Sequence, residues 1–389
     1  MESKQIEPKD KRQYEDNIRT YFNDRTDRLN IVKTTTSSRG STIDWVKIDS
    51  QGPIAAAPPA PGPSHFKSTL VAELDQEGSE KGPQGTIPVV RKNLDLISYT
   101  KSLDDYLSKT RGTRRGMPRI FSVAEDEPPA AQDTATHRYG SSQQAVVCYG
   151  GEGNLSYWDP HVETAGDFSL LQIGMINAGG QSQAQTVEAG WQVFQELSGD
   201  YSAHLFTYFT TNGYTAQGNG LGGYDTDVGG WVQVDTSIFP GSTFSSPSVI
   251  GGSQSDLPIK YQLYQGNWWF SCLGKWIGYY PASLFSPKGQ LGNHADHIGF
   301  WGEVFDSTEV SGRTKTDMGS GQFPSAGWTK SAFMSNLKYQ ADAGATNMPD
   351  YNGSADIVQE DTDMYRIEPH FNSGSSWGSY AWVGGPGAG

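Results

Sequence analysis

From Arg138 to the C-terminus, short runs of aromatic and β-branched residues alternate with glycine-rich turns. Examples are "AHLFTYFTTNGY", "GGWVQVD", "PIKYQLYQGN", "WWFSCLGKWIGYYP" and "HIGFWGEVFD". Residues of these types favour strands, and closely spaced turn residues favour hairpins over helices. The composition agrees, since 47 Gly, 11 Trp, 19 Tyr and 16 Phe accompany 29 Lys plus Arg. The pattern predicts an all-β protein built as an antiparallel β-sandwich.

The chain changes character near residue 136. Residues 1–136 are richer in charge, Ser, Thr and Pro than residues 137–389, and they are poor in tryptophan. The acidic, proline-containing stretch Glu125 to Thr136 is typical of a linker. We therefore predict two parts, a smaller N-terminal region over residues 1–136 and a β-sandwich domain over residues 137–389.

The N-terminal region is predicted to be partly helical and partly extended. Apolar residues recur at helical spacing over Glu15 to Lys33 and again over Leu94 to Leu107, which predicts two short amphipathic helices. Between them, Gly52 to Pro63 is too rich in proline for a helix or an inner strand, so an exposed polyproline-like connector is expected.

Charge and hydropathy exclude two classes of partner. A formal net charge of -14 would repel phosphate backbones, so a nucleic-acid ligand is not expected. No uninterrupted run of about 18 apolar residues occurs, so no membrane span is expected, and the first residues do not read as a signal peptide. The two cysteines, Cys148 and Cys272, could form one bridge if they meet in space.

One carboxylate, Glu188, lies in the middle of the strand-like segment "AQTVEAGWQVF". Successive side chains of a strand point to opposite faces, so Glu188 is expected among small and polar neighbours with an apolar face behind it. Its own face would carry Ala184, Thr186, Gly190 and Gln192, and the opposite face Val187, Ala189, Trp191 and Val193. Such a face suits the holding of a substrate.

A second strand, "HIGFWGEVF", repeats this design around Glu303. The aromatic neighbours Trp301 and Phe305 share its face and are expected to desolvate the carboxylate and raise its pKa. If the two strands lie close together, the like charges of Glu188 and Glu303 separate the two pKa values and leave one acid and one base.

A carboxylate pair does not by itself decide which bond is cleaved. Glycosidases and carboxyl-type peptidases both use such pairs, and a lectin-like binding module with no catalysis is a third possibility. A metal site from His294, Asp296 and His297 is disfavoured because the two histidines would face opposite ways on a strand. No GxSxG nucleophile motif occurs, which disfavours a serine hydrolase.

Several segments together resemble, in order, the motif series of the neprosin family of glutamic peptidases. They are "VEAGWQVF", "FTYFTTNGY", "WWF" with "IGYYPASLF", "WGEVF" and "DMGSGQFP", and upstream "GTIPVVRKNLDLI" is similar to the end of that family's N-terminal activation region. By this resemblance, Glu188 corresponds to the first catalytic glutamate of the neprosin family. The second motif usually carries two glutamates, but Phe300 occupies the earlier position here, so Glu303 is assigned as the second.

The resemblance implies an antiparallel β-sandwich endopeptidase that cuts on the C-terminal side of proline at acidic pH without a metal or other cofactor. It also implies a secreted zymogen whose N-terminal region inhibits it. Proline-containing peptides and this propeptide are the expected partners, and a monomer is expected. Trp301, Tyr208 and Trp231 are candidate walls of a slot for the proline ring. Self-cleavage is expected after Pro128 or Pro129.

Overall fold

The chain folds into two packed antiparallel sheets with a smaller N-terminal part against them, which confirms the predicted all-β sandwich class. The computed structural model describes residues 8–55, 57–60, 70–75, 80–96, 102–110, 136–179, 184–285, 291–307, 312–344, 347–359 and 361–388. Helices long and apolar enough to cross a membrane are absent from this described part.

The N-terminal region contributes two helices and a small three-stranded sheet. Numbered along the chain, its elements are α1 (Pro8–Arg28), β1 (Ile31–Thr36), β2 (Thr42–Lys47), β3 (Glu73–Leu74), β4 (Thr86–Val90) and α2 (Leu103–Leu107). Strands β1, β2 and β4 pair antiparallel in that order, and β3 pairs with β12 (Phe244–Ser245).

The two predicted helices exist, but with different bounds. The first ends at Arg28 instead of Lys33, because the β-branched run from Ile31 to Thr36 forms β1. The second is divided into a 3-10 turn at Leu94–Leu96 and the helix α2, and residues 97–101 lie outside the described part.

The proline-rich connector is only partly described. Its residues 52–55 and 57–60 form neither helix nor strand. Pro59 is buried, contrary to the exposed connector predicted, because its carbonyl accepts a hydrogen bond of 3.2 Å from the indole N–H of Trp276. Of the predicted linker, residues 125–135 lie outside the described part, and Thr136 begins β5.

The first large sheet has seven strands and carries both candidate glutamates. Its members are β5 (Thr136–Cys148), β7 (Phe168–Asn177), β8 (Gln185–Val193), β9 (Ala203–Thr210), β10 (Gly222–Tyr224), β16 (Ala295–Asp306) and β18 (Asp356–Gln359). Their spatial order is β10-β9-β8-β7-β16-β5-β18. A short helix, α3 (Gln195–Ser198), follows β8.

The second large sheet has eight strands and covers one face of the first. Its members are β6 (Gly150–Ser156), β11 (Val232–Gln233), β13 (Asp256–Tyr264), β14 (Asn267–Cys272), β15 (Lys275–Pro281), β17 (Ala332–Tyr339), β19 (Arg366–His370) and β20 (Tyr380–Gly384). Their spatial order is β11-β15-β14-β13-β6-β17-β20-β19. Cys148 and Cys272 are buried and unbridged, one in each sheet.

The core between the sheets fixes which way β8 faces. Val187, Ala189 and Trp191 are fully buried in the main hydrophobic cluster, as the alternation of the strand predicts. The Trp191 indole donates to the Ser156 carbonyl of β6 at 2.8 Å, and the Tyr261 hydroxyl of β13 donates to the backbone carbonyl of Glu188 at 3.0 Å. The side chain of Glu188 therefore projects from the opposite side of the sheet, here called the front face.

The strand register places the two glutamates on a diagonal across β7. Glu188 of β8 lies level with Gly174 of β7 and Gly299 of β16, whereas Glu303 lies level with Leu170 of β7. Gln172 is in register between these two levels. The diagonal brings side chains from two strands that are not neighbours toward one spot on the front face.

Candidate active site

Glu188 and Glu303 share one cation, the ammonium group of Lys109 from the N-terminal region. Lys109 Nζ lies 2.6 Å from Oε2 of Glu188 and 2.9 Å from Oε2 of Glu303. The side chains of all three residues are at most 3% exposed. The Oε2 atoms of Glu188 and Glu303 are therefore no farther apart than these two contact distances added together, and both carboxylates are buried.

The N-terminal region brings Lys109 to the dyad through the short helix α2. Ser102 caps this helix, since its Oγ accepts the N–H of Asp105 at 3.0 Å. Tyr106 packs edge-on against Phe22 of α1, which holds the two helices together. The chain then becomes extended at Ser108, and Lys109 enters the front face.

The opposed charges change the basicity of Lys109. Burial alone would lower the pKa of this ammonium group, but Glu188 and Glu303 more than offset the effect, so its pKa is raised. The Lys109 side chain also donates to Oε1 of Gln172 at 2.9 Å. Lys109 is therefore held in its charged form by the groups around it.

Glu188 accepts hydrogen bonds from three neutral donors besides Lys109. Its Oε1 accepts from the hydroxyls of Thr186 at 2.7 Å and Tyr214 at 2.5 Å, and its Oε2 accepts from the Gln172 amide at 2.9 Å. Burial and the nearby Glu188 charge raise the pKa of Tyr214 well above its ordinary value, so this phenol keeps its proton. These donors fix the orientation of the carboxylate.

Glu303 also contacts a histidine that belongs to the sandwich itself. Nδ1 of His137, at the start of β5, lies 2.7 Å from Oε1 of Glu303, and both side chains are buried. The imidazole packs against Phe305 with ring centroids 4.8 Å apart. Its Nε2 is buried and has no hydrogen-bond partner among the described residues.

The pKa of Glu303 moves in the direction opposite to the one predicted. Burial does raise it, as expected from the aromatic neighbours, but Lys109 and His137 outweigh that effect and lower it to about 2. The prediction was wrong because it considered only the neighbours of Glu303 in the sequence, and Lys109 and His137 are far from Glu303 along the chain. In this form of the protein Glu303 is ionised at all but strongly acidic pH.

Two of the three predicted wall residues lie on the front face. The indole of Trp301 covers Gly174 and Gly299, where an added Cβ would lie 2.1 Å and 2.8 Å from its ring atoms. Tyr208 lies directly opposite Glu188 in the β8–β9 register and stacks on Tyr214.

Trp231, the third predicted wall residue, lies elsewhere. It packs in the core against Phe270 and Tyr280 of the eight-stranded sheet, and its indole donates to Gln233. The structure does not bring it to the carboxylate pair.

The predicted metal candidates have ordinary partners. His297 Nδ1 lies 2.7 Å from Asp296 in the same strand. Across the described residues, no group of three or more His, Cys, Asp or Glu side chains is placed to hold a metal ion.

Sequence reasoning missed Lys109, His137 and Tyr214. Tyr214 had a signal, because it belongs to the quoted segment "FTTNGY". Lys109 and His137 contact glutamates 79 and 166 residues away in the chain, and no local sequence pattern distinguishes them from lysines and histidines that lie at the surface.

Two buried carboxylates that converge on one point of a β-sandwich face form a site suited to acid/base chemistry at a polar bond. A family model described as Neprosin matches residues 165–386, more than half of the chain, and the match includes Glu188 and Glu303. The chain belongs to the neprosin family, and this membership indicates a peptidase of that family.

Replacing Lys109 by methionine should destabilise the full-length protein at pH 7 by about 3–5 kcal/mol, because two buried carboxylates lose their shared cation. The free energy of unfolding in urea measures this. The exposed Lys47→Met serves as the matched control and should change little.

The cost of Lys109→Met should depend on pH. The pKa of Glu303 in the folded protein, about 2, lies below its ordinary value of 4.5. Its stabilising contribution is therefore full above about pH 4.5 and is lost as the pH falls towards 2. Equal stabilities of Lys109→Met and the parent protein at pH 7 would contradict a stabilising ion pair.

Proposed function

We propose that the protein is a glutamic-type endopeptidase that hydrolyses peptide bonds on the C-terminal side of proline at acidic pH. It is made as a latent precursor that residues 1–136 inhibit. The observation that carries the proposal is the convergence of Glu188 and Glu303 on one ammonium group. Family membership favours a peptide bond over a glycosidic bond as the target.

The position of the Lys109 ammonium marks where the reacting groups would lie. A group between the two carboxylates can accept a hydrogen bond from a protonated carboxyl and donate one to an ionised carboxylate. A scissile carbonyl and its attacking water need this combination. The ionised glutamate would activate the water, and the protonated one would polarise the carbonyl and then protonate the leaving nitrogen.

The partners that remain without Lys109 favour one division of roles. Glu303 keeps His137, which lowers its pKa, whereas Glu188 keeps only the neutral donors Thr186, Tyr214 and Gln172 among its described hydrogen-bond partners. The contact with His137 favours the ionised form of Glu303, which suits this residue to the role of the base in a pair that shares one proton. Glu303 is then the base and Glu188 the acid.

Trp301 and Tyr208 supply aromatic surface beside the dyad. The flat faces of such rings suit the pyrrolidine ring of proline. Trp301 lies across Gly174 and Gly299, at the level of Glu188. A proline on this surface would place its own carbonyl within reach of both carboxylates.

Latency follows from the same contact. While Lys109 occupies the space between Glu188 and Glu303, no water or carbonyl can enter it. Because the contact depends on carboxylate charge, protonation at low pH weakens it and allows the N-terminal region to leave.

Glu188→Gln and Glu303→Gln should each lower the cleavage of a proline-containing peptide at pH 3 to 5 by about 10³-fold or more, since each removes a proton-transfer group. Rates of peptide cleavage, with circular dichroism to verify folding, provide the measurement. Glu368→Gln, at an exposed position on β19, is the matched control and should keep normal activity. Normal activity in either dyad variant would falsify the mechanism.

The same assay separates the alternatives. A glycosidase would cleave polysaccharides and leave the peptide intact, and a lectin-like module would bind its ligand equally well after both glutamates become glutamine. Either result replaces the peptidase proposal.

His137→Gln should move the acidic limb of the pH–rate profile upward by about one unit or more, because Glu303 loses a cation that keeps it ionised. The peptide-cleavage rate between pH 2 and 7 gives this profile. A change in rate with the limb unmoved would indicate that His137 acts only through packing.

Acid incubation of the full-length protein should release a fragment that begins at Pro129 or Ala130, after a cut that follows Pro128 or Pro129. These residues lie outside the described part of the chain. N-terminal sequencing identifies the cut, and the Glu188→Gln protein should give no such fragment. Active enzyme that still begins at residue 1 would rule out self-processing.

A further inference from the structure

The N-terminal region places a second buried lysine against the front face. Lys92 Nζ lies 3.0 Å from Oδ2 of Asp227, with the two side chains 7% and 4% exposed. It also donates to the carbonyl of Leu197 at 3.2 Å. The contact resembles that of Lys109, in that a lysine of the N-terminal region is held by buried acidic groups of the sandwich.

Lys92 lines a cavity that has further features of a cation site. The walls include Gln192, Phe194, Leu197, Phe206, Asp225 and Asp227. Gln192 is buried, and its Oε1 has no hydrogen-bond partner among the described residues, so an unused acceptor lines the same cavity. The apolar walls suit the aliphatic stem of a lysine side chain and the acceptors suit its ammonium group.

The other ionisable groups at this cavity, His204 and Asp225, have hydrogen-bond partners in the sandwich. His204 is engaged by Asp200 at 2.9 Å and by the Gly241 carbonyl at 2.9 Å. Asp225 accepts the backbone N–H of Thr207 at 2.8 Å. Burial raises the pKa of Asp225 to about 7 although Lys92 opposes the shift, so Asp225 is protonated at acidic pH. Asp227 is therefore the residue to test.

The cavity lies on the path of an extended peptide through the candidate active site. Gln192 is on the same face of β8 as Glu188 and four residues along the strand. That spacing corresponds to about 13 Å, or about four residues of extended chain. A peptide that follows β8 with its scissile bond at the dyad would therefore reach the cavity with a residue about four positions away.

We propose that this cavity, once Lys92 has left its wall, is a substrate subsite for a lysine side chain, and that Lys92 of the N-terminal region takes the place of that side chain beside Asp227 in the latent protein. The proposal rests on the proposed function for the identity of the substrate as a peptide. Departure of the N-terminal region leaves Asp227 and the Leu197 carbonyl without their cation, beside the unused acceptor Gln192 Oε1. A basic side chain of the substrate replaces it.

The first experiment tests cation binding in the full-length chain and does not require peptidase activity. Lys92→Ala removes the side chain beyond Cβ, which n-propylammonium can replace. Millimolar n-propylammonium should raise the melting temperature of Lys92→Ala in a saturable way, while 1-propanol at matched ionic strength should not. The double variant Lys92→Ala/Asp227→Asn should lose the response. A response that is absent, or equal in the double variant, overturns the cation site.

The second experiment tests the subsite in the acid-activated protein. Each peptide contains one proline and a single test residue, either lysine or its neutral analogue norleucine. The test residue stands three, four or five residues from the proline, on one side or the other. At one position lysine should raise kcat/KM about tenfold over norleucine, as expected of a charge-assisted contact. Asp227→Asn should abolish that preference, so that the lysine peptide is cleaved with the kcat/KM of the norleucine peptide.

The two experiments separate the possible failures. Cleavage with no lysine preference at any position overturns the subsite while the proposed function stands. If none of the peptides is cleaved, the proposed function fails, and the n-propylammonium response alone then decides whether the cavity binds a cation.

Discussion

The contact of one buried ammonium group with two buried carboxylates joins the N-terminal region to the candidate active site of the sandwich. Like charges as close as Glu188 and Glu303 repel each other, and burial strengthens the repulsion. Lys109 offsets it from one side and His137 from the other side of Glu303. Because a buried ion pair loses most when one partner is removed, the front face of this form depends on Lys109 remaining in place.

The sandwich makes this arrangement possible by holding the carboxylates on rigid strands. The backbone carbonyl of Glu188 accepts a hydrogen bond from the Tyr261 hydroxyl of the other sheet, which helps to hold β8 in its orientation. Next to it, Gly190 approaches β7 so closely that an added Cβ would lie 1.9 Å from the Leu171 carbonyl. Gly174 and Gly299 leave the space that the Trp301 indole fills. Small residues and tight packing thus fix the distances that acid/base chemistry requires.

Much of this could be predicted from the sequence where the cause is local. The period of two placed Val187 and Trp191 in the core and Glu188 on the other face, and turn-separated aromatic runs predicted the sandwich. The remainder depends on contacts between distant segments. Lys109 and His137 reach Glu303 from distant parts of the chain, so the predicted shift of the Glu303 pKa had the wrong sign. Trp231 has an aromatic ring suited to the wall of a proline slot, but it packs against Tyr280 in the core.

Under the proposed mechanism, the proton that starts catalysis also weakens inhibition. The working enzyme needs one of the two glutamates protonated, and the state with both ionised holds Lys109 most tightly. Adding a single proton to the pair therefore creates the acid for the reaction and removes half of the negative charge that binds the inhibitor. In the proposed division of roles Glu188 is the acid, and it is also the carboxylate at the shorter distance from Lys109. Under the proposed mechanism, protonation of the acid would therefore also weaken the closest contact of Lys109, so release of the N-terminal region and activation of the dyad would share one step.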